Sequence, residues 1–184
     1  MSLILSVLEQ GMIYAIMALG IYITYKILDF PDLTVDGSFP MGAALTCVLI
    51  AKGVNPLLTL PVSFLAGVAV GVLTGIIHVK LKVRDLLSGI IMMTALYTVN
   101  LRIAGRANFP IYNYQTIYDN DFVNKIFPAA LKPYRTVIVV LVITLITKYL
   151  LDAYMRTKSG FLLRAVGDND TIVTSLGVDK GKVK

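Results

Sequence analysis

The chain has 184 residues, of which 57% are hydrophobic and 15% are charged, and its mean hydropathy is +0.76. Since soluble domains are usually less than half apolar, this composition argues against a water-soluble fold and indicates a membrane protein. The net charge of +6 does not indicate nucleic-acid binding, because the lysines and arginines flank apolar runs. One cysteine, Cys47, and one histidine, His78, provide neither an intrachain disulfide nor a metal cluster.

The first apolar run, Leu3 to Tyr25, is long enough for a spanning helix, which needs about 20 mostly apolar residues. The second candidate is different, because residues 26–42 are rich in Asp, Pro and Gly and only Ala43 to Ala51 is apolar. Either the polar stretch is a loop before a short helix, or it enters the membrane as broken backbone. Such backbone is tolerated at membrane depth only where protein buries it or where it lines a cavity.

The third predicted span, Leu57 to Val79, contains Gly67, Gly71 and Gly75 in two consecutive G-x-x-x-G motifs. The four-residue spacing places these glycines on nearly one face, which predicts that a neighbouring helix packs closely there. The alternative is that they are glycines that a membrane helix simply tolerates.

The fourth predicted span runs from Leu86 to about Ala104 and is the most polar. Thr94, Tyr97 and Asn100 follow one another at three-residue steps, which places them on one helix face. Polar residues within a span usually face the bundle interior or a watery path. We therefore expect this face to point into the bundle or to line a watery path; the alternative is hydrogen bonding between helices.

A tyrosine-rich surface loop is predicted next, with a short interfacial helix near Phe122 to Ala130, and then a fifth span from Tyr134 to about Leu151. Basic clusters follow the first, third and fifth spans, which places all of them on the cytoplasmic side and the N-terminus outside. These residues are Lys26; Lys80, Lys82 and Arg84; and Arg156, Lys158 and Arg164.

The closing stretch, Ser159 to Val178, is too short and too polar to span. The pattern predicts a polar loop and then a helix from Asp170 to Leu176, capped by Asp168 or Asn169 and ended by Gly177.

Ile172, Val173 and Leu176 give this helix an apolar side. A helix this short is unstable alone, so we expect it to dock against another protein. The alternative is an amphipathic linker on the membrane surface.

The sequence contains no catalytic set: it has no Gly-rich phosphate loop, no H-E-x-x-H and no G-x-S-x-G. We therefore expect a protein that is not an enzyme and that has no cofactor of its own.

Three stretches resemble permeases of ABC importers of the branched-chain amino acid and ribose type. Residues 164–178, RAVGDNDTIVTSLGV, resemble the cytoplasmic loop of that family. Residues 31–43, PDLTVDGSFPMGA, are similar to the entry to its second span, and residues 85–108 to its fourth-span region. One departure is that Thr171 and Ile172 stand where many family members have an alanine pair.

The resemblance implies an all-α, polytopic membrane helix bundle of about five spans, with a broken second span and a cytoplasmic coupling loop at residues 159–178. It implies a permease domain, residues 1–184, that belongs to a longer permease in the plasma membrane of a prokaryote. The implied function is the transmembrane subunit of an ATP-driven importer for a small polar solute, with amino acids the first expectation.

The implied partners are an ATP-binding subunit that binds the ATP, a second permease chain, an extracytoplasmic substrate-binding protein and membrane lipid. The residues expected to contact the ATP-binding subunit are Arg164, Gly167, Asp168, Asn169, Thr171, Ile172, Leu176 and Gly177. Broken helices expose backbone groups that can meet a solute. The expected substrate pathway is Asp36, Gly37 and Ser38 with Thr94, Tyr97 and Asn100.

The alternative function is a secondary transporter driven by an ion gradient, for which Asp36 is the candidate intramembrane acid. A membrane enzyme is disfavoured by the missing catalytic set. A purely structural membrane protein is disfavoured by the polar fourth span.

Overall fold

The computed structural model describes residues 2–112, 114–118, 134–177 and 183. These residues form helices and connecting turns, with no strand among them. The predicted interfacial helix at 122–130 lies outside the described residues. The helices are α1 (Ser2–Tyr22), continued by a π-helical turn (Ile23–Ile27), α2 (Val35–Ala51), α3 (Pro56–Lys80), α4 (Asp85–Ala104), α5 (Arg135–Met155), α6 (Lys158–Asp168) and α7 (Asp170–Ser175).

Among the described residues, four helices are long and apolar enough to cross a membrane: Leu3–Ile27, Pro56–Val79, Asp85–Ala104 and Arg135–Met155. The shorter apolar helix Val35–Ala51 lies between the first and second of these. The predicted polytopic helix bundle is therefore confirmed. The chain divides into two compact units, residues 33–135 and residues 1–32 with 136–184, and each is described by itself.

The unit of residues 33–135 consists of α2, α3 and α4 around a core of Met41, Val70, Met92 and Leu96. Hydroxyl pairs connect α2 to α3. Thr34 Oγ1 lies 3.1 Å from Thr74 Oγ1, and Thr46 Oγ1 lies 2.8 Å from Ser63 Oγ. Residue numbers rise along α2 as they fall along α3, so the two helices are antiparallel.

The start of α2 lies well inside the length of α3. Thr34, immediately before α2, is buried and pairs with Thr74, which is six residues before the end of α3 at Lys80. At 1.5 Å per residue, this is about 9 Å along the helix axis. Residues 28–34 are not helical, which fits both the loop and the broken backbone considered for this stretch. The helix begins earlier than the apolar run, however, so Asp36 lies in its first turn.

In the other unit, the segment after the π-helical turn packs with α6 and α7 around a small core of Leu28, Phe30, Val166 and Val173. The Thr144 hydroxyl of α5 lies 3.4 Å from the Met12 carbonyl of α1. Two glycines of α6 sit against backbone. A Cβ on Gly160 would lie 2.6 Å from Met155 Cα, and one on Gly167 would overlap the carbonyl of Ile27.

The polar loop expected at the start of the closing stretch is wrong, because residues 158–168 form α6. Thr157 caps this helix, with its hydroxyl accepting a hydrogen bond from the Gly160 amide at 3.4 Å. Leu162 and Leu163 then pack against the small core of this unit. Gly160 and Gly167 of this stretch are positions of close backbone contact.

The face of α3 that packs within its unit is not the glycine face. A Cβ placed on Gly67 or Gly71 meets nothing within 4 Å, and Gly71 is exposed. The buried positions Val70 and Thr74 make the contacts instead. No described residue packs closely against Gly67 or Gly71, so close packing of a neighbouring helix against the three glycines stays a prediction.

Candidate functional site

A groove of about 650 Å³ lies between α2 and α4. It extends past the end of α4 to residues 106–109, where Gly105 ends the helix with φ +69°. Its lining consists of Asp36, Gly37, Pro40, Ala43, Ala44, Cys47, Met93, Thr94, Tyr97, Asn100, Leu101, Ala104, Arg106, Ala107 and Phe109. Most of these side chains are apolar, with a few polar groups among them.

Five of the six residues predicted for the substrate pathway line this one groove. They are Asp36, Gly37, Thr94, Tyr97 and Asn100. The sixth, Ser38, is not among the lining residues, and its hydroxyl donates to the Val35 carbonyl at 3.4 Å. The polar residues at three-residue steps along α4 and those at the start of α2 thus line the same groove.

Gly37 sets how closely α2 approaches α4. A Cβ at this position would lie 2.9 Å from both Cβ and Cδ1 of Leu96 and 3.2 Å from Met93 Cα. The close approach allows the Asn100 Nδ2 group to donate to the Gly37 carbonyl at 2.9 Å. The sequence marks Gly37 as part of a polar stretch, but only the fold identifies it as the packing glycine of this helix pair.

Two unpaired oxygen-bearing groups lie in the groove. In the described part of the chain, the buried Asn100 Oδ1 has no hydrogen-bond partner, and no hydrogen bond or ion pair engages the Asp36 carboxylate. The Thr94 hydroxyl is already used, because it donates to the carbonyls of Ile90 and Ile91 at 3.0 and 2.9 Å.

Sequence reasoning missed Arg106 and Phe109, which line the groove beyond α4. The Arg106 guanidinium lies 5.0 Å from the centroid of the Phe109 ring, within the range of a cation–π contact. Both residues follow the glycine that ends the helix, so no helical period connects them to the polar face of α4. An R-x-x-F pattern beside a predicted polar span is the signal that could have suggested them.

The second candidate site is the helix pair α6–α7. Of the two capping residues predicted for α7, Asn169 is the cap: its side chain accepts from the amides of Thr171 and Ile172, each at 3.1 Å. Gly177 has φ +85°, which suits the C′ position expected for it.

The apolar side chains of α7 divide between two directions. Val173 is 6% exposed and belongs to the core with Leu28 and Phe30. Ile172 and Leu176, four residues apart, are 57% and 76% exposed. The predicted single apolar side is thus split: one residue docks the helix onto its own chain and two face outward.

The other residues predicted to contact an ATP-binding subunit lie around this helix. Arg164, Asp168, Asn169 and Thr171 are exposed, whereas Gly167 is half-buried against the backbone of Ile27. The structure therefore brings these residues together on α6 and α7, with Gly167 facing its own chain.

Four long apolar helices among the described residues define a multi-pass membrane protein. The chain belongs to the family described as branched-chain amino acid transport system / permease component, whose model matches residues 3–184.

Three curated relatives match almost the whole chain. A tyrosine transport system permease protein of Clostridioides difficile is 40% identical over 184 residues, which is 100% of this chain and 58% of the relative. An uncharacterized protein of Rickettsia prowazekii is 32% identical over 96% of this chain and 59% of the relative. A protein of Methanocaldococcus jannaschii, named "Probable branched-chain amino acid transport permease protein LivH", is 27% identical over 97% of this chain and 59% of its own length.

The chain thus spans less than two thirds of the length of these relatives. No solved structure matches it.

Proposed function

We propose that this chain is the membrane-spanning permease part of an ATP-driven ABC importer that carries an amino acid. The family supports transport of this class, and the name of the Clostridioides relative supports tyrosine as the first solute to test. The groove between α2 and α4 suits an amphipathic solute, because it combines apolar walls with a few polar groups.

The observation that carries the proposal is the outward face of α7. Ile172 and Leu176 are exposed on a helix that is capped at its start and anchored by Val173. A rigid helix with exposed apolar side chains is suited to insertion into a cleft of another protein. We assign this role to an ATP-binding subunit, which binds the ATP and contacts the chain through α6, α7 and Gly177.

The remaining parts of the assembly follow from the same proposal. A second permease chain completes the pathway, and an extracytoplasmic substrate-binding protein delivers the solute to it. The assembly lies in the plasma membrane of a prokaryote. ATP-dependent closure of the subunits favours one of two states of the helix bundle, because the subunits bind the two states with different affinity.

The test exchanges Ile172 and Leu176 for serine in the full-length permease. Burying one such side chain contributes about 1.5–3 kcal/mol. Loss of both is expected to weaken association with the ATP-binding subunit roughly tenfold or more, as measured by co-purification at graded subunit concentrations. Ser175→Ala is the matched control, because its hydroxyl bonds only to the Ile172 carbonyl of the same helix and its loss leaves the apolar face intact.

Unchanged association of the double variant would contradict the assigned contact. Tyrosine uptake that follows an imposed ion gradient, and that continues after ATP is depleted, would instead establish the secondary transporter.

A further inference from the structure

We propose that the end of the groove formed by Asp36 and Asn100 binds the ammonium group of the transported solute. This inference rests on the proposed import of amino acids and assigns the orientation of the solute. It follows from the kind of hydrogen-bonding group that each lining residue still has available.

Asn100 has an unused acceptor at this end of the groove. Its Nδ2 group is committed to the Gly37 carbonyl at 2.9 Å, which fixes the orientation of the side-chain amide. Oδ1 is then left buried without a partner among the described residues. An unpaired buried oxygen is unfavourable by about 1–3 kcal/mol, so a ligand that donates to it gains that free energy.

Asp36 adds further acceptors at the same end. Its carboxylate has no partner in the described part of the chain, and an ionised carboxylate can only accept hydrogen bonds. Its backbone carbonyl lacks its helical donor, because the residue four positions later is Pro40, which has no N–H. The hydroxyl of Thr94 has given its hydrogen to the carbonyls of its own helix, so it too offers only lone pairs.

Three amides at the start of α2, those of Asp36, Gly37 and Ser38, are not available to an anion. A helix that starts inside a membrane protein commonly binds the carboxylate of a solute through its free N–H groups. Here the Asp36 amide donates to the Leu33 carbonyl at 3.3 Å. The amides of Gly37 and Ser38 both donate to the Thr34 carbonyl, at 3.0 and 2.9 Å. The Asp36 carboxylate, Asn100 Oδ1 and the Thr94 hydroxyl oxygen are acceptors, which match a cation with three N–H donors and oppose a carboxylate.

The rest of the groove accommodates the remainder of such a solute. Met93, Leu101 and Phe109 provide apolar walls, and Arg106 places a cation beyond the end of α4.

Cys47 allows the proposal to be tested inside the groove, because its side chain is part of the lining. In the assembled full-length transporter, alkylation of Cys47 by N-ethylmaleimide is followed by mass spectrometry of its peptide. The probes are L-tyrosine, tyramine, which has the ammonium group alone, and 3-(4-hydroxyphenyl)propanoate, which has the carboxylate alone. Tyrosine and tyramine are expected to slow the alkylation, whereas the propanoate at equal concentration is not.

Asp36→Asn keeps the shape of the side chain and removes its charge. It is expected to raise the tyramine concentration that gives half-protection roughly tenfold or more. Asp152→Asn is the matched control, since this carboxylate lies on α5 in an exposed pair with Lys148 at 3.4 Å. Its half-protecting concentration is expected to equal that of the unmodified protein.

Protection by the propanoate equal to that by tyramine, no protection by any probe, or unchanged protection in Asp36→Asn would each overturn the ammonium site. Tyrosine uptake by the same assembly is measured separately. If uptake is observed together with any of these results, the ammonium site is contradicted and the proposed importer is not.

Discussion

Two regions differ in the groups that they leave without a contact. The groove between α2 and α4 leaves polar oxygen atoms, whereas the helix pair α6–α7 leaves apolar side chains. In the groove, a packed core of Met41, Val70, Met92 and Leu96 supports oxygen atoms that have no partner among the described residues. On α7, the cap Asn169 and the turn at Gly177 satisfy the ends of the helix, and apolar side chains remain exposed. A small solute is selected by a few directed polar groups, whereas a protein partner is held by apolar surface on a rigid support.

Both regions depend on a glycine in close contact, but with different neighbours. Gly167 faces the carbonyl of Ile27, which is backbone, and Gly37 faces mainly the side chain of Leu96. Backbone can move only if a whole segment moves, whereas a side chain can be shortened by mutation. This difference predicts unequal losses of stability when each glycine receives a Cβ.

Gly167→Ala is expected to have the largest effect. The added Cβ overlaps the carbonyl of Ile27, so α6 must move away from the π-helical turn. We expect the free energy of unfolding to fall by about 3 kcal/mol, the upper end for overpacking, and association with the ATP-binding subunit to fall with it. Thermal unfolding in detergent measures the change as a lower Tm. Gly11→Ala, where nothing lies within 4 Å of the added Cβ, is the control. An equal Tm for both variants would show that α6 does not need this contact.

Gly37→Ala is expected to have a smaller effect, of about 1–2 kcal/mol, because the overlap is mostly with one side chain. Truncating that side chain in the double variant Gly37→Ala/Leu96→Ala should relieve part of the overlap. The two changes should therefore be non-additive, by at least about 0.5 kcal/mol, in a double-mutant cycle read by thermal unfolding. Strictly additive losses would mean that Gly37 and Leu96 do not contact each other. Gly20→Ala is the control, because nothing lies within 4 Å of the added Cβ. Its Tm gives the change expected from a glycine without a close neighbour.

The spans were predictable from the sequence because their signal is local. Apolar runs between turn-forming residues predicted spans at Leu57 to Val79 and Leu86 to Ala104. The structure has helices at Pro56–Lys80 and Asp85–Ala104. The first turn of α2 was not predictable in this way. Its position depends on groups of other helices, such as Thr74 beside Thr34 and the Asn100 amide on the Gly37 carbonyl, and those pairings are absent from any local window.

Glycines show the same limit at the level of single residues. The tandem motif predicted a packing face at Gly67 and Gly71, yet no described residue approaches their Cβ positions, whereas Gly37 and Gly167 make the close contacts. Spacing identifies which residues share a face, as it did for Thr94, Tyr97 and Asn100, but not which face meets a neighbour. Arg106 and Phe109 line the groove from the turn after α4. This turn has no helical periodicity from which their position could be predicted.

Asn169→Ala is expected to have the smallest effect. It removes two hydrogen bonds of 3.1 Å to the amides of Thr171 and Ile172 and lowers the stability of α7 by about 1 kcal/mol. Amide hydrogen exchange at residues 171–173 should then rise roughly fivefold, with the global Tm nearly unchanged, because only the local opening of α7 becomes easier.

Asp168→Ala, one residue earlier and exposed, is the control and should leave exchange at these amides almost unaltered. Association with the ATP-binding subunit should weaken by no more than the same factor of about five, since a cap acts through the population of folded helix. A much larger loss of association without faster exchange would mean that the Asn169 side chain itself touches the partner. In that case α7 would resemble the groove in presenting a directed polar group, and the contrast between the two regions would be smaller than the structure indicates.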